Sequence, residues 1–299
     1  MASDVPCRVC GSSATEFLCD TYVTDSTSTR LSNLRCGECG SVFIGTRVST
    51  EELDGWYARL DAESYYRSIE EETGRKLSAA LRDLGGVLGK DAALLDLGTG
   101  NGRFVELARE AGFTNVSAHE IPGMDLSRIR GLAARIFEDH DYASIPDRSF
   151  DCVLLLDVAE HVPDVPHLFR TCRRILREGG ILYIHTPVVT RVDRLMHRVQ
   201  RVPGIGRVGR VWQRGRTSIY HLQNYTPRSL RLALGRAGFG QVEIRVINEL
   251  SWPVSKYIRY YLLERNGLPA SLAPLFVPVF YPLFATRTFN ANKGVVTAR

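Results

Sequence analysis

Apolar and polar positions along this chain switch repeatedly between two periods. From residue 93 onward, short apolar runs of strand length at 93–97, 116–119, 134–137, 152–156 and 180–185 are separated by stretches with helical spacing at 102–111, 126–132 and 165–176. Continuous apolar runs mark strands covered on both faces, and parallel strands need a crossover between them. The pattern therefore predicts an α/β fold with a doubly wound, mainly parallel sheet that binds ligands at the carboxyl ends of its strands. Gly179 and Gly180 read as the end of the helix 165–176, and Pro187 as the end of the next strand. Thr226 and Pro227 open a helix that closes near Gly238, a strand follows at 241–247, and 294–298 is assigned to a last strand.

Upstream of this pattern, Leu77, Leu81, Leu84 and Leu88 recur at helical spacing over 69–88. A short strand is expected at 41–44. Ser49, followed by Glu51 and Glu52, reads as the cap of a helix that carries Trp56 and Tyr57 on its inner side, with Tyr65 and Tyr66 as linker packing. The chain has 299 residues and is 44% hydrophobic, enough for one sizeable core and one small appendage. No signal-peptide apolar region and no long uninterrupted apolar run is present, so a cytoplasmic protein without a spanning helix is expected.

Seven cysteines without an export signal argue for metal or free thiols rather than disulfides. Cys7 and Cys10 form one Cys-x-x-Cys knuckle and Cys36 and Cys39 a second, each followed by a glycine, Gly11 and Gly40. Two such turns complete a closed tetrahedral zinc site with no open position, so the metal is expected to be structural. Cys19, Cys152 and Cys172 read as small core residues.

The candidate chemistry centres on the turn after the first core strand. Asp96 is followed by Gly98, Thr99, Gly100, Asn101 and Gly102, and then by a helical pattern, so the backbone can approach a ligand at a helix N-terminus. Glu120, with Ile121 after it, lies where a carboxylate could accept both ribose hydroxyls. A dinucleotide site would want the third glycine three residues after the second, whereas here the spacing is two, which disfavours a nicotinamide cofactor. Asp141 and Tyr142 follow the third strand, and Asp157, Glu160 and His161 follow the fourth.

This ordered series resembles the class I S-adenosylmethionine-dependent methyltransferases, whose sheet is Rossmann-like, seven-stranded and mainly parallel. The resemblance implies that Asp96 lies near the methionine ammonium and that Gly98, Thr99, Gly100 and Gly102 wrap the methionine and ribose. It also implies that Glu120 and Ile121 hold the ribose, that Asp141 and Tyr142 read the adenine edge, and that Asp157, Glu160 and His161 face the transferred methyl. The knuckles, the Trp-Tyr and Tyr-Tyr pairs and the core together resemble a subgroup found among polysaccharide, glycolipid and natural-product enzymes, in which His221 matches a histidine after the lid. Asp157, Glu160 and His161 also resemble the Glu-x-x-Glu-His pattern by which ubiquinone-pathway O-methyltransferases hold a divalent cation, with aspartate at the first position. The division expected is a zinc-binding module at 1–48, a helical cap over the cofactor site at 49–90 and a methyltransferase domain at 91–299.

Net charge is +5, and the excess is concentrated. An insertion at 190–217 carries Arg191, Arg194, Arg198, Arg201, Arg207, Arg210, Arg214 and Arg216 among Pro203, Gly204, Gly206, Gly209 and Gly215. It follows a strand's carboxyl end, where a lid over an anionic or lipid-linked small acceptor would be built. An RNA surface stacking bases on Trp212 and Tyr220 is the rival, and the resemblance ranks it lower. A non-catalytic module that only binds the cofactor is the third reading. The segment 251–286 is apolar and aromatic, and Pro269, Pro274, Pro278 and Pro282 argue against a regular spanning helix. An apolar cap, an acyl pocket or peripheral contact with the inner face of a membrane would suit it. Acceptor hydroxyl deprotonation falls to His161 first and His221 second, because imidazole exchanges protons near neutral pH.

Overall fold

The computed structural model describes residues 2–3, 5–22, 30–46, 48–49, 52–53, 55, 70–216, 221–250, 253–264, 267–286 and 289–299. The expected positions of Trp56, Tyr57, Tyr65, Tyr66, Tyr220 and Trp252 lie outside them.

The larger sheet has seven strands. They are β5 (Leu94–Leu97), β6 (Val116–Glu120), β7 (Ile136–Glu138), β8 (Phe150–Leu156), β9 (Leu176–Pro187), β11 (Val242–Ile247) and β12 (Lys293–Ala298). Their order across the sheet is β11-β12-β9-β8-β5-β6-β7. Five strands from β9 to β7 pair in parallel, while β12 enters antiparallel between β9 and β11 and pairs Val296 with Ile184 and Ile244. The central strand β5 is buried along its length. The chain order reverses at β5, so the crevice beyond its carboxyl end, between the turn at 98–102 and the ends of β6 and β8, is the switch point at which such sheets bind ligands.

Helix α1 (Glu70–Gly85) buries Leu77, Leu81 and Leu84 on one face of the sheet, beside α2 (Arg103–Glu110) with Phe104, Val105 and Ala108. The other face takes α3 (Val165–Ile175) and α6 (Pro227–Arg236), each opened by a side-chain cap, Asp164 to His167 and Thr226 to Ser229.

Two local expectations need correction, and a third segment, expected only not to form a regular spanning helix, forms a short one. The stretch 126–132 forms only one 3-10 turn, Ser127–Ile129, because Gly131 takes a left-handed φ of 86° and the Ala134 amide already donates to the Val116 carbonyl of β6 at 2.7 Å. Gly179 and Gly180 do not end a helix. Helix α3 stops at Ile175, and β9 runs through both glycines, with Gly179 at φ 74° and Gly180 pressed against Asp151 and Leu176. The segment 273–285 is a helix, α8 (Ala273–Ala285), in spite of its internal Pro278 and Pro282. The prolines fall four apart, so the carbonyls that lose an i+4 N–H, those of Pro274 and Pro278, share one stripe exposed to solvent.

The smaller sheet joins β1 (Ala2–Ser3), β2 (Thr15–Tyr22), β3 (Arg30–Cys36) and β4 (Val42–Ile44) to β10 (Gln223–Asn224) from the far end of the chain. The β2–β3 hairpin carries no strand signal strong enough to separate it from a knuckle loop in the sequence. The expected cap at Ser49 is present, with the Ser49 amide donating to Glu52 at 2.9 Å and the Glu52 amide donating back to Ser49 Oγ at 3.2 Å. The basic insertion folds as two helices, α4 (Arg191–Val199) and α5 (Gly206–Arg216). Its glycines act as contact points rather than breakers, because a Cβ at Gly206 or Gly209 would collide with the backbone of Gln200. Trp212 is buried between these helices and α8, donating to Asp193 at 2.8 Å.

Candidate functional site

The turn after β5 is built for close approach. Gly98, Gly100 and Gly102 have φ of 79°, 58° and 78°. A Cβ at Gly98 would come within 2.7 Å of Val158, and one at Gly102 would overlap Ile129, so both positions require glycine for space as well as backbone geometry. The amides of Gly98 and Thr99 donate to the His119 carbonyl at 2.9 and 3.0 Å, which fixes the turn to β6. Glu120 then faces the turn, accepting from the Gly100 amide at 2.7 Å through Oε2 and from the Ile121 amide at 2.9 Å through Oε1. Asp96, 2% exposed, accepts from Thr99 Oγ1 at 2.7 Å. Burial pushes its carboxyl up to about 7, against the pull of the Thr99 hydroxyl.

Beyond β7, the 139–144 loop is organised by a residue that the sequence pattern does not single out. Asp139 accepts from the amides of Tyr142 and Ser144 and from the Ser144 hydroxyl, and stands 3.3 Å from His119 Nε2. These bonds hold Tyr142 buried at φ 63°, with its ring 5.0 Å from that of His119. Asp141 is exposed and accepts from the Ala143 amide.

At the end of β8 the arrangement differs from the expected one. Asp157 has φ 57° and is gripped by Lys76 Nζ at 2.5 Å, Lys293 Nζ at 2.8 Å and His185 Nδ1 at 2.9 Å. Burial opposes its ionisation, but Lys293, Lys76 and His185 overcome that and hold it well below the usual carboxylate range. Burial disfavours the charged forms of Lys293 and His185, yet Asp157 raises both, and Glu249 stands 3.2 Å from His185 Nε2. Lys76, His185, Glu249 and Lys293 come from four separate elements. Only the sheet order assembles them, and no local spacing signals the cluster.

The cation set Asp157, Glu160 and His161 does not converge as expected, because two ammonium groups occupy Asp157. Instead Glu160, His161 and His221 bring ligand atoms within 4.8 Å of one another. Glu160 is fully buried. Its Oε2 accepts from Thr186 at 2.9 Å, while Oε1 has no hydrogen-bond partner among the described residues. Burial and then the charge of Asp157 raise its pKa. The His161 and His221 rings meet edge to face at 4.9 Å. His221 is carried by a strap whose next residues are latched to the 159–162 turn. Leu222 and Gln223 donate backbone N–H to the Glu160 carbonyl, and Gln223 Nε2 and Tyr225 OH donate to the Ala159 carbonyl.

The charge cluster gives a direct expectation. Replacing Lys293 with methionine should cost about 2–4 kcal/mol of stability, since it strips one partner from a largely buried carboxylate. A double-mutant cycle with Asp157→Asn, which tolerates the left-handed backbone, should show a coupling above about 1 kcal/mol by thermal or urea unfolding. Additive effects would show that the two charges act separately.

The four knuckle cysteines are buried and reduced, with Sγ separations of 3.7 Å for Cys7–Cys39 and 3.5 Å for Cys10–Cys36. Tetrahedral thiolates at zinc distances lie about 3.8 Å apart, so the pocket has the dimensions such an ion needs. The bond between Cys7 and Cys39 lowers the first thiol to about 5 and raises the second. The knuckles are tied to the larger sheet by Thr226 Oγ1 donating to the Cys39 carbonyl and by Arg236 donating to the Cys10 carbonyl, both at 2.7 Å.

Residues 68–244 match a family model described as a methyltransferase domain. Among curated proteins, a ubiquinone biosynthesis O-methyltransferase of Xanthomonas oryzae pv. oryzae is 31% identical over 102 residues, 32% of this chain and 43% of that protein. One from Sodalis glossinidius is 26% identical over 134 residues, 42% of this chain and 53% of that protein. The chain thus spans about half the length of these relatives or less. Among solved structures, the complex between the Haloferax volcanii Trm112 methyltransferase activator and a methyltransferase aligns over 83% of this chain and 95% of the other, at 17% identity and a TM-score of 0.53. At that identity the likeness is one of fold.

Proposed function

The chain belongs to the class I S-adenosylmethionine-dependent methyltransferases, and from that premise we propose that it methylates a hydroxyl of a small acceptor, anionic or lipid-linked, such as a sugar, glycolipid or natural-product intermediate. The observation that carries the cofactor side is the frame of Asp96, three left-handed glycines and Glu120 at the switch point. Glu120, already oriented by two amides, would accept the ribose hydroxyls. Asp96 would face the methionine ammonium, and Asp141 and Tyr142 the adenine edge. The cofactor supplies a methyl activated on a sulfonium. This chain's part would be to hold the acceptor hydroxyl in line with that methyl and to take its proton on His161, the imidazole on the turn after β8, with His221 beside it. Calorimetry with the cofactor should show Glu120→Ala binding at least about tenfold more weakly, the loss of a charge-assisted pair. Unchanged affinity overturns the ribose assignment.

Asp96 makes that binding pH-dependent, and the sign follows from its burial. Its carboxyl is about half protonated near pH 7 in the free protein, and a bound ammonium favours the carboxylate, so binding releases a proton. Affinity for the cofactor should rise as pH increases from 6 to 8, by up to about tenfold per unit below 7. Titration calorimetry in buffers of different ionisation enthalpy should count the released proton, and Asp96→Asn should flatten the profile.

The four-cysteine cluster supports one structural zinc held by Cys7, Cys10, Cys36 and Cys39, with all positions filled by protein and no role as Lewis acid. A second reading of the acceptor side rests on Oε1 of Glu160, which has no hydrogen-bond partner among the described residues, beside two imidazoles, a donor set suited to a divalent cation. The cation would polarise the acceptor hydroxyl in place of the base. Glu160→Gln separates the readings: chelator-sensitive turnover that this variant abolishes favours the cation, and chelator-insensitive turnover favours the imidazoles alone.

A further inference from the structure

Helix α8 has an unusual solvent face. Its inner side packs Phe276, Phe280 and Phe284 into one cluster with Trp212 and Tyr257. The outer side is apolar too. Pro274, Leu275, Pro278, Val279 and Pro282 form one exposed stripe, Leu275 is 70% and Val279 66% exposed, and the helix carries no charged residue from end to end. At 13 residues it is too short to cross a bilayer, and no helix among the described residues is long and apolar enough to do so. Helix α5, which presents Trp212 to α8, continues the apolar surface, since Val208 lies one turn before Trp212 on the same stripe and is exposed.

The helix pair packed beside this patch through Trp212 is strongly basic. Residues 191–216 hold eight arginines and a single acid, Asp193, which is buried and engaged by Trp212. Arg194, Arg198, Arg207 and Arg210 are exposed. From these features we infer that α8 and the α4–α5 pair dock this protein onto an anionic lipid surface, with Leu275 and Val279 in the boundary between headgroups and acyl chains and the arginines on lipid phosphates. The proline stripe selects this partner over a dry protein interface. The carbonyls of Pro274 and Pro278 each face a proline ring where a helix would present the i+4 N–H, on the very side that docks, and a hydrated headgroup layer can serve them where an apolar protein surface would not. The docking surface is separate from the methyl-transfer reading and stands or falls without it.

Flotation with large unilamellar vesicles tests the inference on the full chain. The protein should float with vesicles of equal parts phosphatidylcholine and phosphatidylglycerol at physiological salt, and remain at the bottom with phosphatidylcholine alone. High salt, which shortens the screening length, should release it. Leu275→Glu with Val279→Glu should weaken the partition at least about tenfold, because two charges would enter the boundary, while the unfolding midpoint stays close to wild type since both side chains are solvent-exposed. Arg194→Gln with Arg207→Gln should weaken it less, and only on anionic vesicles. Three results would overturn the proposal: no flotation with either vesicle, flotation indifferent to the α8 pair, or lipid-free sedimentation showing a dimer that the α8 pair dissociates. The last would assign the face to a second copy.

Discussion

Replacing His161 with alanine is expected to lower kcat by about a hundred-fold to ten-thousand-fold, with little change in cofactor affinity. The separation follows from position. The frame proposed for the cofactor is built by the ends of β5 and β6, whereas His161 lies after β8 and touches His221 and the Glu160 turn, so the proposed proton acceptor is lost without loosening the glycine cradle. Single-turnover methyl transfer with bound acceptor isolates that step from binding and release. If His161→Ala turns over near the wild-type rate and His221→Ala does not, proton removal belongs to His221. If neither variant slows, alignment alone carries the reaction and the base assignment falls.

Replacing Cys36 and Cys39, and with them the proposed zinc site, is expected to lower the unfolding midpoint by more than about 10 °C and to slow turnover as well, although the knuckles are far along the chain from the chemistry. Structural zinc contributes several kcal/mol or more to a module too small to hold itself together, and each kcal/mol moves a chain of this size by a few degrees. The coupling to turnover has a path. Ile44 in β4 donates to the Leu222 carbonyl, Leu222 donates to the Glu160 carbonyl, and Thr226 holds the Cys39 carbonyl, so the module braces the strap that carries His221. Cys36→Ser with Cys39→Ser, followed by metal analysis, thermal unfolding and steady-state kinetics, checks both effects. A variant without metal that keeps its midpoint and rate would show that the module neither needs the ion nor positions the strap.

The side of the site proposed for the cofactor is legible in the sequence because it is local. Asp96, the three glycines and Glu120 sit at strand ends whose apolar runs are unambiguous, and an L side chain at Gly98 or Gly102 is excluded by φ and by Val158 and Ile129. The paired knuckles are legible for the same reason, since Cys-x-x-Cys followed by glycine is a complete turn in five residues. The acceptor side is not. Asp157 has the right offset to face the chemistry, and what redirects it is Lys76 from a helix 81 positions earlier and Lys293 from a strand 136 positions later. Likewise Pro278 and Pro282 read as breakers because spacing along the chain does not reveal that both fall on the exposed stripe of α8.

The sequence by itself determined the strand and helix order, the glycine cradle and the four thiols, each a consequence of hydrophobic period or of backbone conformations open chiefly to glycine. Tertiary structure alone decided which distant side chains meet. The antiparallel insertion of β12 beside β9 carries Lys293 to Asp157, and the pairing of β10 with β4 carries His221 to His161. Both depend on pairings between segments more than a hundred residues apart, and the net burial of whole sheet faces, rather than any local residue preference, selects them.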